Sequence, residues 1–449
     1  MTAAADTGDK PQPVLRRLPL RVRRPGGMAM RIVMFLVLLA TVLKASGLGE
    51  LIGPQTDVIA LSVLVAAVAI FLPLCLSGER YLPAFVVAVG VLAMFALAHV
   101  NFVRLSGSAL NFNAILAYFP ALIFLPLARS RVSIDRSLRY LVWISAAYIL
   151  FYTLGHGAIE TLAQASGAHI LKAGDYERGA RLLFAPAFAA FLFFFMMEWR
   201  RGNLLLRVMM MGLSVAALWL SNYRTFLVIF LLVVVMRAAR LLNPMARWLI
   251  FGVVVAAYGA LLAGLVLPDW EPFAYFVDDA SGFARLLAYR HITPFVLDHW
   301  LTGVGVAGSN LALQSYLRVP TFYSVYPTDL GPIGPLFVFG VGGLLLYIVL
   351  TWVMIVQRLP IRFGSTHPER MALHMTAMVC GIQGVISPSF MIENNSLFLA
   401  FMFAGWVQLR RMRPVVGGGP NPLAFKPRVM APGTGQPAAG EAMGGERAE

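Results

Sequence analysis

Once the arginine clusters that punctuate this chain are set on one side of a membrane, nine basic residues are left on or near the other side: Lys44, Arg104, Lys172, Arg178, Arg181, Arg224, Arg285, Arg290 and Arg318. A guanidinium stays charged at any working pH and offers a fixed fork of donors that matches the oxygens of a phosphate. The chemistry such residues suggest is recognition of something anionic. Two segments hold most of them. One is the loop 163–180, with Lys172, Asp175, Glu177 and Arg178, followed by Arg181 at the mouth of the next apolar run. The other is 268–330, the longest polar stretch, which carries Arg285, Arg290, His291, His299 and Asp329 among many aromatic residues.

The elements that must position these residues follow from composition. The chain has 449 residues, is 59% hydrophobic and 13% charged, and carries a net charge of +15 with a mean hydropathy of +0.75. Soluble domains carry about 25% charged residues, so a water-soluble enzyme is excluded and a lipid-embedded chain is expected. Disorder is excluded for the bulk by 31 Phe, 21 Met and long Leu, Val and Ala runs. Both cysteines, Cys75 and Cys380, sit inside apolar runs, which argues against a disulfide framework or a thiolate metal site.

Uniformly apolar runs of spanning length read as helices rather than barrel strands, which would alternate with period two. Twelve are expected, near 28–48, 57–76, 82–103, 108–128, 140–162, 181–199, 204–220, 223–240, 247–267, 331–357, 370–389 and 396–410. The first run continues to full length with no small-residue cleavage site, so an uncleaved helix is expected there. With the N-terminus in the cytoplasm, the clusters Arg16–Arg24, Arg129–Arg139, Arg200–Arg201, Arg237–Arg247, Arg358–Arg370 and Arg410–Arg413 all fall inside, as the positive-inside rule requires. Both termini are then cytoplasmic. The basic charge is a topology signal rather than a nucleic-acid face, because it punctuates loops instead of gathering in one domain. The domain plan is a disordered tail over 1–26, a membrane domain over 27–410 with a large outer loop at 268–330, and a second disordered tail over 411–449.

Basic residues on the outer side run against the positive-inside bias, which marks some of the nine named above as anion binders; the alternative is snorkelling to headgroups or pairing with Asp175, Glu177, Asp278 or Asp279. Within the large loop, Phe283 to Leu301 reads as an amphipathic helix broken around Pro294. Gly303, Gly305 and Gly308 then form a turn where backbone can approach a ligand closely. No strand precedes them and no βαβ unit surrounds them, so a dinucleotide site is not indicated.

These residues resemble the polytopic O-antigen polymerase and O-antigen ligase superfamily. The likeness rests on Arg178 and Arg181 ahead of LLFAPAFAAFLFF, on SNYRTFLVIF from Ser221, on RLLAYRHITPFVLDHWLTGVGVAG from Arg285, and on TDLGPIGPLFVFGVGG from Thr328. It covers nearly the whole membrane domain and draws on the order of the motifs more than on any one of them. Ligases of the superfamily carry a histidine about ten residues before the glycine that corresponds to Gly331, where this chain has Thr321. That departure shifts the reading toward a polymerase. The polymerases' Arg-x10-Gly spacing is not matched either, since Arg290 precedes Gly303 by two residues too many.

The resemblance implies an all-α polytopic fold in a bacterial inner membrane and inverting transfer of glycans from undecaprenyl diphosphate at its outer face. No nucleotide, redox cofactor or metal is implied, and a chain-length regulator and a flippase are the implied partners. Arg178, Arg181, Arg224, Arg285 and Arg290 form the expected diphosphate-binding pool. Asp329 is the expected base, with His291 and His299 behind it; the alternative for Asp329 is a cap on the following helix. Tyr316, Phe322, Tyr323 and Tyr326 suit sugar stacking or an interfacial aromatic belt equally. Glu393, Asn394 and Asn395, in the short outer turn before the last helix, are placed to reach glycan hydroxyls. A ligase shares the donor chemistry. A lipid-linked oligosaccharide transporter is the rival of another class, and it should place charges or broken helices near the bilayer midplane.

Overall fold

The computed structural model describes residues 27–46, 82–111, 134–166, 171–172, 181–182, 184–200, 202–267, 269–274, 280–319, 325–357, 367–387 and 397–405, with scattered helical positions between 55 and 69. Over that range the chain is helical apart from one pair of two-residue strands. In chain order the elements are α1 (Gly27–Ser46), α2 (Leu82–Ser106), α3 (Ile134–Leu154), α4 (His156–Ser166), β1 (Leu171–Lys172), β2 (Arg181–Leu182) and α5 (Pro186–Glu198). There follow α6 (Leu204–Leu220), α7 (Arg224–Ala238), α8 (Pro244–Ala263), α9 (Ala280–Asp298), α10 (Asn310–Leu317), a 3₁₀ turn (Pro327–Asp329), α11 (Ile333–Ile355), α12 (Pro368–Gln383) and a final helix α13 over 397–405. Among the described residues, α3, α8 and α11 are long and apolar enough to cross a membrane.

Local chemistry starts many of these helices where they start. Proline opens α5, α8 and α12, where its fixed φ suits the first turn and its missing N–H forfeits nothing. Asn203, Asn243 and Ser309 cap α6, α8 and α10, their side chains accepting from Leu205, Ala246 and Ala312 N–H. The apolar run near 140–162 is two helices rather than one, parted at Gly155, where a Cβ would lie 2.7 Å from the Phe151 carbonyl oxygen. The run near 181–199 opens on strand β2, paired antiparallel with β1 so that Lys172 faces Arg181. Most of the expected spans 57–76 and 108–128, and both tails, lie outside the described residues.

The centre of the bundle is α5, buried without interruption from Pro186 to Met196. Its alanines let α12 and α6 approach closely, while its phenylalanines reach further. Phe188 and Phe191 meet Phe398 of α13 at 5.6 Å, and Phe193 and Phe194 meet Phe230 of α7 at 4.9 and 5.5 Å. By contrast, α6, α7 and α8 present Leu204, Trp219, Val228, Val235, Leu249 and Val253 outward. An apolar outer face of that extent suits lipid as the surrounding solvent.

One end of the bundle gathers the charges. There Arg139 of α3 pairs with Glu369 of α12, Arg370 with Asp135, and Arg237 of α7 with Glu198 of α5, each at 2.6 Å. The opposite end, beyond the last turn of α8 and before the first of α11, carries the described residues between 264 and 332. Its organising feature is a break in α11 at Gly340, whose φ is +67°. An extended segment fills the break: the Val304 N–H donates to the Phe337 carbonyl at 2.6 Å, and the Val341 N–H donates to the Trp300 carbonyl at 2.9 Å.

The glycines of the 303–308 turn therefore serve backbone-to-backbone approach. A Cβ at Gly303 would stand 2.5 Å from the Val338 carbonyl oxygen, and one at Gly305 would collide with the Ala98 carbonyl. The same helix supplies a comparison, because a Cβ at Gly340 would collide with the Leu301 carbonyl whereas one at Gly342 meets nothing within 4 Å. Gly340→Ala is expected to destabilise the protein by about 2 kcal/mol or more through strain and collision. Gly342→Ala should be neutral or stabilising by about 0.5–1 kcal/mol. Thermal unfolding of both variants in detergent checks the contrast.

Candidate functional site

Three of the sequence's candidates lie on one helix, and helical period divides them. On α9 the residues Tyr289, Ile292 and Val296 are buried and form a seam that includes Arg285 at the i, i+4, i+7 spacing. Phe283, Arg290, Pro294 and Leu297 form the exposed seam. The helix runs through Pro294 to Asp298 instead of breaking there. Ile292 and Val296, buried on either side of the proline, hold it in place while Thr293 Oγ1 donates to the Tyr289 carbonyl at 2.8 Å.

The turn after α8 sets the position of α9. Trp270 Nε1 donates to the Ala260 carbonyl at 2.9 Å, and the Phe273 ring packs on Tyr289 at 5.7 Å. Burial of Tyr289 pushes its phenol pKa upward. Arg290, on the outer seam, is held by Glu271 through a two-pronged ion pair, with Nε 2.8 Å from Oε1 and Nη2 2.7 Å from Oε2. That pair draws the Glu271 carboxyl below its ordinary pKa and raises Arg290 above its own. Arg290 is thus committed to a carboxylate of the same chain.

Arg285 is placed differently. It is half-buried, and its Nε is enclosed with no hydrogen-bond partner among the described residues. A buried guanidinium nitrogen is costly to leave unmatched, so this position is poised for an anion. Asp278 and Asp279, the alternative partners in the sequence, lie outside the described residues. α9 packs on α11 and on the 3₁₀ turn. This turn ends in Asp329, exposed, two residues before Gly331, whose N–H donates to the Ile386 carbonyl at 2.7 Å. The fold therefore brings the helix of Arg285 and His291 against the turn of Asp329. Pro332, not Asp329, occupies the N-cap position of α11.

The other candidates are distributed around this centre. His291 is half-buried on α9. Arg224 opens α7, is exposed, and its Nε donates to Asn222 Oδ1 at 3.3 Å; α7 packs on α6 and α12 rather than on α9. Arg181 lies in β2, and Tyr326, 47% exposed, precedes the 3₁₀ turn. Tyr316 packs against Phe102 and Phe295, with ring centres at 5.6 and 5.1 Å and the rings inclined to one another. Arg178, Thr321, Phe322, Tyr323, Glu393, Asn394 and Asn395 lie outside the described residues.

Two polar residues of α2 belong to the same architecture and were read from the sequence only as part of an apolar span. Asn101 Nδ2 donates to the Gly303 carbonyl at 2.8 Å. His99 is fully buried; its Nε2 accepts from the Asn111 N–H at 2.9 Å, so Nδ1 carries the proton and donates to the Val306 carbonyl at 2.8 Å. The signal available for them was a histidine and an asparagine two residues apart within an otherwise apolar run.

Among the described residues no group of three or more His, Cys, Asp or Glu is placed to hold a metal ion. No protein-family model matches the chain, and no curated protein is similar to it.

The Glu271–Arg290 pair makes a pH prediction. Because the folded-state pKa of Glu271 is lowered, its contribution is fully present above the unfolded value of about 4.3 and is lost as pH falls through the folded value. The difference in melting temperature between the wild type and Glu271→Gln is expected at pH 7 and should shrink, then vanish, below pH about 4. Paired melting curves across that range measure it.

Proposed function

We propose that this chain is a polysaccharide polymerase of the inner membrane, joining undecaprenyl diphosphate-linked oligosaccharide repeat units at the outer face by inverting glycosyl transfer. On this reading twelve helices span the bilayer, both termini are cytoplasmic, and residues 268–330 form the outer loop. The observation that carries the proposal is Arg285: a half-buried guanidinium whose Nε has no partner among the described residues, at the end of the bundle opposite the charge clusters, on a helix packed against the turn of Asp329.

The chemistry asks little beyond that. The acceptor hydroxyl attacks the anomeric carbon of the donor from the face opposite the diphosphate. The new glycosidic C–O bond forms as the bond to the diphosphate breaks, and the hydroxyl proton passes to a base, here Asp329. The departing diphosphate gains negative charge, which the Arg285 fork neutralises in a partly dehydrated setting. The carrier is already an activated leaving group, so no nucleotide enters. A chain-length regulator and a flippase are the partners this reading expects, and Arg178, Arg181, Arg224, Tyr323, Tyr326 and Glu393 are its outlying donor and glycan contacts.

A second reading, a lipid-linked oligosaccharide transporter, is favoured by the break at Gly340, since discontinuous helices mark many transport sites. The break lies about 10 Å from the start of α11 and about 6 Å from its middle, and the Phe337 carbonyl and Val341 N–H at the break are met by Val304 and Trp300. Backbone groups already satisfied in this way are not available to a transported substrate.

The deciding experiment incubates purified protein in nanodiscs with lipid diphosphate-linked repeat units and no nucleotide, and resolves the products by length. A ladder is expected. Arg285→Ala should slow its formation by about 10²–10³-fold and Asp329→Asn by about 10²–10⁴-fold, with protein level and melting temperature unchanged. Absence of a ladder, with the substrate instead crossing the bilayer of proteoliposomes, would overturn the polymerase in favour of transport.

A further inference from the structure

The charged end of the bundle encloses a cavity of about 950 Å³ between α3, α5, α6, α7 and α12. Its rim carries Arg139, Arg200 and Arg237, and its wall carries Trp143, Phe195 and Trp199. Trp199 stacks on Phe195 at 5.7 Å, whereas Trp143 is 72% exposed. We infer that this cavity binds the phosphate of an anionic phospholipid from the adjoining leaflet.

The way the arginines are paired supports this. Arg139 and Arg237 each hold a carboxylate through Nε alone, Glu369 Oε1 and Glu198 Oε1 respectively, both at 2.6 Å. The terminal amines of both guanidinium groups have no partner among the described residues. Glu369 and Glu198 are 5% and 14% exposed in their side chains, while Arg139 remains 63% exposed. The carboxylates are therefore enclosed and already neutralised, while Arg237 is 29% exposed and both arginines line the cavity. Arg200 adds an exposed positive charge with no partner among the described residues. Two guanidinium groups with donors to spare and a third cation suit the oxygens of a phosphodiester.

The size and lining distinguish the ligand from a free ion. A phosphate occupies a small part of 950 Å³, and an aromatic and aliphatic wall contributes nothing to binding it. A lipid fills both regions, its headgroup at the arginines and its upper acyl segments along Trp143 and Phe195. The site also lies at the end where the arginine clusters place the cytoplasmic leaflet, and basic pockets between helices on that side suit anionic headgroups. The site is separate from that of Arg285 and does not depend on the polymerase reading.

The test uses the full-length chain, delipidated in detergent and titrated with phosphatidylglycerol, with phosphatidylcholine and with inorganic phosphate, reading bound lipid by native mass spectrometry. Phosphatidylglycerol should be retained in preference to phosphatidylcholine, and millimolar phosphate should not displace it. The double variant Arg139→Gln/Glu369→Gln removes a fork without stranding a buried carboxylate, and it should reduce the preference by roughly fivefold. Arg200→Gln leaves every ion pair intact and should reduce it by a similar factor. Arg240→Asn, on the same end but outside the cavity, should leave it unchanged. Equal retention of the two lipids, a preference that survives both Arg200→Gln and the double variant, or displacement by inorganic phosphate would each overturn the proposal.

Discussion

The architecture at the candidate site depends on one exchange of backbone hydrogen bonds. In apolar surroundings an N–H or C=O without a partner costs several kcal/mol, so a helix can be interrupted only where another segment supplies what the helix gives up. α11 is interrupted at Gly340, and the extended stretch after α9 meets it through Trp300 and Val304. The exchange needs contact at backbone distance, which explains why glycine stands on both sides of it, at Gly303 and Gly340, each with positive φ. Asn101 and His99 of α2 then satisfy the carbonyls of Gly303 and Val306 from the other side. α2, α9 and α11 are tied together at one locus, and α9 hangs from it with Arg285 turned inward.

Charge serves different purposes at the two ends of the bundle. At one end, Arg139, Arg237 and Arg370 are matched to Glu369, Glu198 and Asp135 carried on neighbouring helices. Carboxylates as enclosed as Glu369 and Glu198 persist only with partners in good geometry, and the pairs also tie α3, α5, α7 and α12 together. At the other end the two arginines of α9 part company. Arg290 is spent on Glu271, while Arg285, five residues earlier and on the buried seam, has an Nε that nothing described satisfies. Residue type is the same; position on the helix decides which one meets Glu271.

Much of the helical plan was legible from local pattern. The run at 204–220 matches α6 residue for residue, and 28–48, 223–240 and 331–357 differ from α1, α7 and α11 by a few residues at their ends. Apolar length, N-terminal prolines and Asn or Ser caps are properties of neighbouring residues, so they can be read without the fold. The split at Gly155, the continuity of α9 through Pro294 and the break at Gly340 were not legible in that way. A glycine or proline states what a backbone can tolerate, and only its tertiary surroundings decide whether the helix bends, stops or carries on.

The site divides along the same line. By itself the sequence determined that the chain carries apolar runs long enough to cross a membrane, that its arginines gather in clusters between those runs, and that Arg285, Arg290, His291 and Asp329 share one long polar stretch. Those are matters of composition, period and order. Tertiary structure decided that Arg290 is paired with Glu271 while Arg285 Nε has no partner among the described residues, that the Gly303–Gly308 turn receives backbone, that Tyr316 packs against Phe102 and Phe295, and that arginines of the sequence clusters also line a cavity. Each of those outcomes joins residues far apart in the chain, such as Arg139 with Glu369 or Val304 with Phe337. Side-chain pairing at that range is set by how helices dock, which no local pattern specifies.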